Sequence, residues 1–117
     1  MPHQNPSFVL DRLFRTIQKR QGGNPETSWT ARLFARGRGK ICQKLGEEST
    51  ETIVAALSEP KENVVKESAD LLYHLLVLWA DVGVKPKEVW AELRKREGVS
   101  GLQWRQAKKK EKANGDT

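Results

Sequence analysis

Two pairs of carboxylates recur at one spacing, Glu48-x-x-Glu51 and Glu67-x-x-Asp70. Both fall in stretches that read as helices, where residues three apart share a face, so each pair is a two-pronged oxygen ligand. Two such helices side by side gather four carboxylates, which repel one another and resist removal from water. Hard divalent cations relieve that repulsion, and Mg²⁺ in particular is held by a few carboxylates together with water and substrate phosphates. The pattern points to metal-assisted phosphate chemistry, with Glu48, Glu51, Glu67 and Asp70 as ligands.

The helical register sharpens this reading. At roughly 100° per residue, Ile41, Leu45, Glu48, Thr52 and Ala55 form one stripe, with Lys44 and Glu51 along its edge. Val64, Glu67, Leu71, His74 and Leu78 form a second stripe, with Asp70 at its flank. Surface helices keep acids off the apolar stripe, and Glu and Asp are almost never buried unpaired. Solvated surface carboxylates that happen to be three apart are the plainer alternative, and it explains one such pair better than two.

Four neighbours suit the same chemistry. Lys44 lies one turn before Glu48 and is the best candidate for a phosphate contact, with Lys40 a turn further back. For each, a surface lysine paired with an acid at i,i+4 is the alternative. Glu47, about 100° off the stripe, is a further ligand, a base acting on water, or an ordinary solvent-facing acid. His74, one turn after Asp70, could orient a carboxylate as a donor or be a satisfied, partly buried histidine. It is not expected to ligate the metal, because Mg²⁺ prefers oxygen.

The stretch Lys44-Leu45-Gly46-Glu47-Glu48-Ser49-Thr50-Glu51 resembles the KxGEExxE signature of phosphoribosyl-ATP pyrophosphohydrolases. Glu67-Ser68-Ala69-Asp70-Leu71-Leu72-Tyr73-His74-Leu75-Leu76 resembles that family's ExADLLYHLL block. The likeness continues through Ser28-Trp29-Thr30 (usually SYT), Leu93-Arg94-Lys95-Arg96-Glu97-Gly98 and Ser100-Gly101, and covers about residues 8–102. The acidic core alone indicates only the wider MazG-like, all-α nucleoside triphosphate pyrophosphohydrolase superfamily. Trp29 departs from the family's tyrosine, and Leu102–Gln106 lacks the expected Glu-Lys combination. The resemblance implies Mg²⁺-dependent hydrolysis of the α–β phosphoanhydride of phosphoribosyl-ATP to phosphoribosyl-AMP and pyrophosphate, the second step of histidine biosynthesis. It also implies a homodimer. An enzyme clearing non-standard or deoxynucleoside triphosphates is the competing reading within the superfamily. A basic helical nucleic-acid-binding module is the competitor from another class.

Composition limits the alternatives. A chain of 117 residues is one domain by length, expected over residues 1–104, with 105–117 a basic, frayed tail. That tail carries five Lys or Arg and two acids, half of the chain's net charge of +6. The remaining basic residues, Arg94 and Arg96 among them, suit a polyanionic small molecule. Trp104 is the only aromatic near the tail, so no stacking platform for single strands is evident and no nucleic-acid partner is expected. The start, Met1–Pro6, lacks a basic region followed by an apolar one. The longest apolar run, Leu71–Ala80, is too short to cross a bilayer. A cytoplasmic protein with no membrane contact is expected. The single cysteine, Cys42, fits a reducing compartment and is expected as a small buried or half-buried side chain.

These residues need helices to position them. Helical periodicity predicts a helix over about Phe8–Arg20, capped by Ser7, and a second capped by Thr27 or Ser28. A long one follows from Lys40 to about Leu57, ahead of which Gly37 and Gly39 end or kink its predecessor. Pro60 suits the first turn of the next, running to about Val82 and stopped by Gly83. Another spans Pro86 to about Glu97, with Val89, Trp90 and Leu93 as its apolar face. No strand alternation is evident, so the fold class is an all-α bundle of four to five helices. Leu71–Ala80 is apolar almost all round and needs cover on more than one side. A dimer pooling long helices supplies that cover; a central helix in a monomeric bundle is the alternative. Trp29, Trp79 and Trp90 are expected in the core or an interface.

Overall fold

The computed structural model describes residues 6–99 and 101–115. They form helices α1 (Pro6–Arg20), α2 (Trp29–Arg36), α3 (Arg38–Ser58), α4 (Lys61–Val82), α5 (Pro86–Arg96) and α6 (Gly101–Gly115). No strand occurs among the described residues, as expected for an all-α chain. The sixth helix runs into the basic C-terminal segment: Gln106, Ala107 and the run from Lys108 to Lys112 are good helix formers, and the helix continues through them to Gly115. Packing groups the residues through Pro86 in one compact unit and those from Lys87 onward in another.

Local chemistry sets most helix ends. Ser28 has extended backbone (φ −133°, ψ 120°), and its Oγ accepts from the N–H of Ala31, capping α2. Gly37, at φ 95°, ends α2 by donating to the carbonyls of Leu33 and Phe34. Its own carbonyl accepts from Lys40 and Ile41 and so starts α3. Only glycine takes such a φ at little cost, so this corner is a glycine corner; Gly39 lies inside α3 and breaks nothing. Glu59 and Pro60, both extended, separate α3 from α4. Gly83 closes α4 in the left-handed conformation, donating to the carbonyl of Trp79. Ser7 falls inside α1 rather than capping it, because the helix already starts at Pro6, where a missing N–H costs nothing.

The connection through Glu59 and Pro60 folds α3 and α4 into an antiparallel hairpin with long mutual contact, and α1 and α2 pack on its two helices. Phe14, Ile17, Leu33, Ile41, Leu76 and Val77 are the buried core, flanked by Leu10, Leu13, Phe34, Tyr73, Leu78, Trp79 and Ala80. Each large apolar side chain buried there contributes roughly 2 kcal/mol. Polar ties fix the helices around it. Thr30 and Tyr73 share a hydroxyl–hydroxyl hydrogen bond between α2 and α4. Arg38 donates to Asp81 Oδ2 at 2.7 Å and to the Asp81 carbonyl at 3.2 Å, pinning the start of α3 to the end of α4.

The run Leu71–Ala80 is better covered within one chain than its composition implied. His74, Leu76 and Val77 are buried and most of the rest is half-buried, leaving Leu72 exposed. Cys42 is exposed rather than half-buried, since it follows the buried Ile41 by about a quarter turn and points outward. Among the described residues no helix is long and apolar enough to cross a membrane.

Candidate active site

The hairpin sets the register of the acids. Glu51 and Glu67 stand at nearly equal remove from the Glu59–Pro60 connection, as do Glu48 and Asp70, so an antiparallel pair places them level with one another. Carboxylate oxygens of Glu48, Glu67 and Asp70 all lie within 4.8 Å of one another. Glu51 is not in that closest group. It lies at the exposed edge, close enough to Glu48 and Glu67 to raise the pKa of both. The four acids therefore meet as three plus one.

Burial is graded across the cluster. Glu48 is only 8% exposed, Glu67 is half-buried, and Asp70 and Glu51 are exposed. Loss of water pushes the Glu48 carboxyl up to about 7, helped by its hydrogen bond to Glu51 and by the charges of Glu51, Asp70 and Glu67. Glu67 is raised in the same direction, first by loss of water, then by its hydrogen bond to Glu51 and the charges of Glu51, Asp70 and Glu59.

Oε2 of Glu48 and Oε2 of Glu67 are both buried and have no donor among the described residues. A buried acceptor without a donor is costly, and a cation among these oxygens would satisfy both. An all-oxygen donor set selects hard cations over soft ones. The residues therefore fit a metal site.

The flanking residues have definite partners. Lys44 Nζ lies 3.1 Å from Glu47 Oε2, and the same ammonium sits 5.9 Å from the centroid of the Trp29 ring. Its pKa is raised chiefly by the Glu47 hydrogen bond, against some loss of water, with further help from the charges of Glu47, Glu48 and Glu51. Glu47 also accepts from Gln43 Nε2 at 3.0 Å. Gln43 and then Lys44 hold its carboxyl below the ordinary range. So held, Glu47 is a weak base with its carboxylate engaged by Gln43 and Lys44. Lys40 is half-buried one turn back and close enough for its charge to act on Glu47.

His74 is buried; its Nδ1 donates to the main-chain carbonyl of Asp70 at 2.8 Å, and its Nε2 is buried with no partner among the described residues. Its ring meets Tyr73 edge-on, with centroids 5.1 Å apart. Arg94 and Arg96 are exposed and lie in the C-terminal unit, where Arg96 pairs with Glu92 at 3.2 Å and stacks over Trp104.

Trp29, expected in the core or an interface, is 43% exposed in the single chain, and the Gly37 corner brings it to Lys44, a contact that no periodicity reveals. Gln43 was not singled out by the sequence. Gln43 stands four residues before Glu47, a spacing that could have flagged it.

A family model described as phosphoribosyl-ATP pyrophosphohydrolase matches residues 10–97, which include every acid of the cluster. A protein named phosphoribosyl-ATP pyrophosphatase from Paramagnetospirillum magneticum is 59% identical over 104 residues, covering 89% of this chain and 95% of its own length. One of the same name from Rhodospirillum rubrum is 61% identical over 102 residues, 87% of each chain. Another, from Azospirillum brasilense, is 55% identical over 101 residues, 86% of this chain and 91% of its own. The match runs through both helices of the hairpin and both acid pairs, and on that extent the chain belongs to the phosphoribosyl-ATP pyrophosphohydrolase family.

Proposed function

We propose that this chain hydrolyses the α–β phosphoanhydride of phosphoribosyl-ATP, releasing phosphoribosyl-AMP and pyrophosphate in the second step of histidine biosynthesis. The observation that carries the reading is the pair of buried, donorless oxygens, Glu48 Oε2 and Glu67 Oε2, in a cluster of acids. Such a cluster repels a triphosphate unless a cation is present, so it suits a metal-dependent phosphate enzyme better than a binding surface. Glu48, Glu67 and Asp70 would hold Mg²⁺, with Glu51 as a further ligand at the open edge. Bound there, the ion supplies charge neutralisation on phosphoryl oxygens and a lowered pKa for water.

The chain's own residues do the rest. Lys44 is aimed at the acidic edge and supplies a cation for the phosphate chain, with Lys40 behind it. Glu47 keeps the Lys44 ammonium charged and positioned rather than serving as the base. The graded burial leaves Asp70 and Glu51 on the solvent side, where an incoming phosphate and water arrive. Positioning and charge compensation are most of what phosphoanhydride hydrolysis asks of a protein.

A homodimer in the cytoplasm completes the proposal. Ile53 and Leu57 on α3, and Val65 and Leu72 on α4, are exposed apolar residues, with Leu57 82% exposed. A second copy covering them removes that surface from water. The functional reading is tested by pyrophosphate release from phosphoribosyl-ATP beside a panel of nucleoside triphosphates, with and without Mg²⁺. Preference for phosphoribosyl-ATP supports it. Faster turnover of a simple triphosphate would move the chain to a nucleotide-clearing role with the same acids.

A further inference from the structure

The C-terminal unit carries a second concentration of charge, of opposite sign to the acid cluster. Residues 87–117 contain nine Lys or Arg against five acids, so four of the chain's six net positive charges fall there. Within this unit a hollow of ≈ 480 Å³ is lined by Arg96, Trp104, Arg105, Lys108, Lys109 and Lys112, five cations and one aromatic with no acid among them. Its volume lies in the range of small-molecule sites, roughly 300–1,000 Å³.

We infer that this hollow binds an oligophosphate chain, either free or as part of a nucleoside polyphosphate. The inference goes beyond the hydrolysis proposed above and uses none of the acid cluster.

Three observations carry it. Arg105, Lys108, Lys109 and Lys112 follow the i, i+3, i+4, i+7 pattern and so share one face of α6. Like charges at i,i+4 repel, and Glu111, the one acid between Lys108 and Lys112, does not line the hollow. Second, Arg96 is held from two sides: Nε lies 3.2 Å from Glu92 Oε2, and the guanidinium carbon lies 4.5 Å from the Trp104 ring centroid. Stacked and tethered, it is preorganised for the two-pronged contact that guanidinium makes with phosphate. Third, Nε1 of Trp104 is buried with no acceptor among the described residues. An anion supplies acceptors for donors of every one of these kinds.

The charge count selects the ligand class. With Arg96 already paired with Glu92, four cations on α6 remain, more than a single phosphate neutralises, whereas consecutive phosphates spread charge along the face of α6. Single-stranded nucleic acid binds by stacking successive bases on successive aromatics, and Trp104 is the only aromatic lining this hollow.

The test is calorimetric titration of the full chain in EDTA at about 0.15 M salt, so that no divalent ion bridges anions to the acids. The probes are tripolyphosphate, ATP and a single-stranded oligodeoxynucleotide. Saturable binding of one tripolyphosphate per chain is expected. The triple variant Arg105→Ala, Lys108→Ala, Lys112→Ala should weaken it at least ~10-fold through the lost charge-assisted contacts. The triple variant Arg12→Ala, Arg15→Ala, Lys19→Ala, of equal charge change on exposed positions of α1, should leave it unchanged. Trp104→Leu should weaken binding most, and Trp104→Phe, which keeps a ring under Arg96 but lacks the N–H, should recover it only in part, with helicity by circular dichroism the same throughout. Equal affinity for ATP identifies the phosphates as the whole ligand, and tighter ATP adds the nucleoside; either sustains the inference. Absence of saturable tripolyphosphate binding, equal loss in the α1 triple variant, or binding of the oligonucleotide alone overturns it.

Discussion

Glu48 on α3 and Glu67 on α4 face one another across the hairpin, and each keeps one carboxylate oxygen buried with no donor. Two acids so placed destabilise the metal-free protein in their charged forms and are stabilised by a cation. The sign of this effect separates a functional acid cluster from a structural salt bridge, in which removing one partner strands the other.

That sign gives a pH dependence. The Glu48 carboxyl is pushed from 4.5 up to about 7 in the folded chain, so the native state keeps a proton that the unfolded chain releases. Metal-free stability should therefore fall as pH rises from about 4.5 to about 7, and this group adds no further change above that. The full loss is on the order of 3 kcal/mol, and Glu67 acts in the same direction. Urea unfolding in EDTA from pH 5 to 8 should show the decline in the wild type and a flatter profile in Glu48→Gln. Parallel profiles would remove Glu48 from the buried, destabilising role.

Lys44→Ala should raise KM for the triphosphate substrate by about tenfold, the loss of one charge-assisted contact, with little change in folding. The half-buried ammonium makes an i,i+3 pair with the exposed Glu47 and a contact with the exposed Trp29 ring, each worth no more than about 1 kcal/mol. Unchanged steady-state kinetics would return Lys44 to the role of a solvated lysine.

Leu76→Ala should cost about 2–5 kcal/mol, since Leu76 is fully buried between α4 and the helices packed on it. Tyr73→Phe should cost about 1 kcal/mol through loss of the hydrogen bond to Thr30. Chemical denaturation measures both, and a larger loss for Tyr73→Phe than for Leu76→Ala would contradict the assignment of the core.

Light scattering tests the dimer. Wild-type protein at micromolar concentration should have the mass of two chains, and Leu57→Asp with Val65→Asp should shift it toward one. A wild-type monomer would mean that Ile53, Leu57, Val65 and Leu72 are simply exposed.

The acid cluster and its helices were legible because their information is periodic. Glu48 and Glu67 interrupt apolar stripes, and a 3.6-residue period shows that directly. The short break at Pro60, which the sequence marks as the start of the next helix, is what folds the two into an antiparallel pair. What spacing could not reveal was where a side chain ends. His74 has the position of a carboxylate partner yet bonds the Asp70 main chain, and Glu47, next to Glu48, turns to Gln43 and Lys44. Trp29 reaches Lys44 only because Gly37 turns the chain between α2 and α3. The helical C-terminal segment was hidden by its charge, which suggests solvation and says nothing against a helix.

Pyrophosphate release from phosphoribosyl-ATP, measured for wild type and for Glu48→Gln, Glu51→Gln, Glu67→Gln and Asp70→Asn, tests the central claim most directly. Wild-type turnover should require Mg²⁺ and vanish in EDTA. Each variant should be at least ~100-fold slower, the several kcal/mol expected of metal-ion stabilisation, while its metal-free stability equals or exceeds that of wild type. Turnover undiminished by EDTA, or variants that retain activity and unfold more readily, would contradict the reading of these four acids as a metal site.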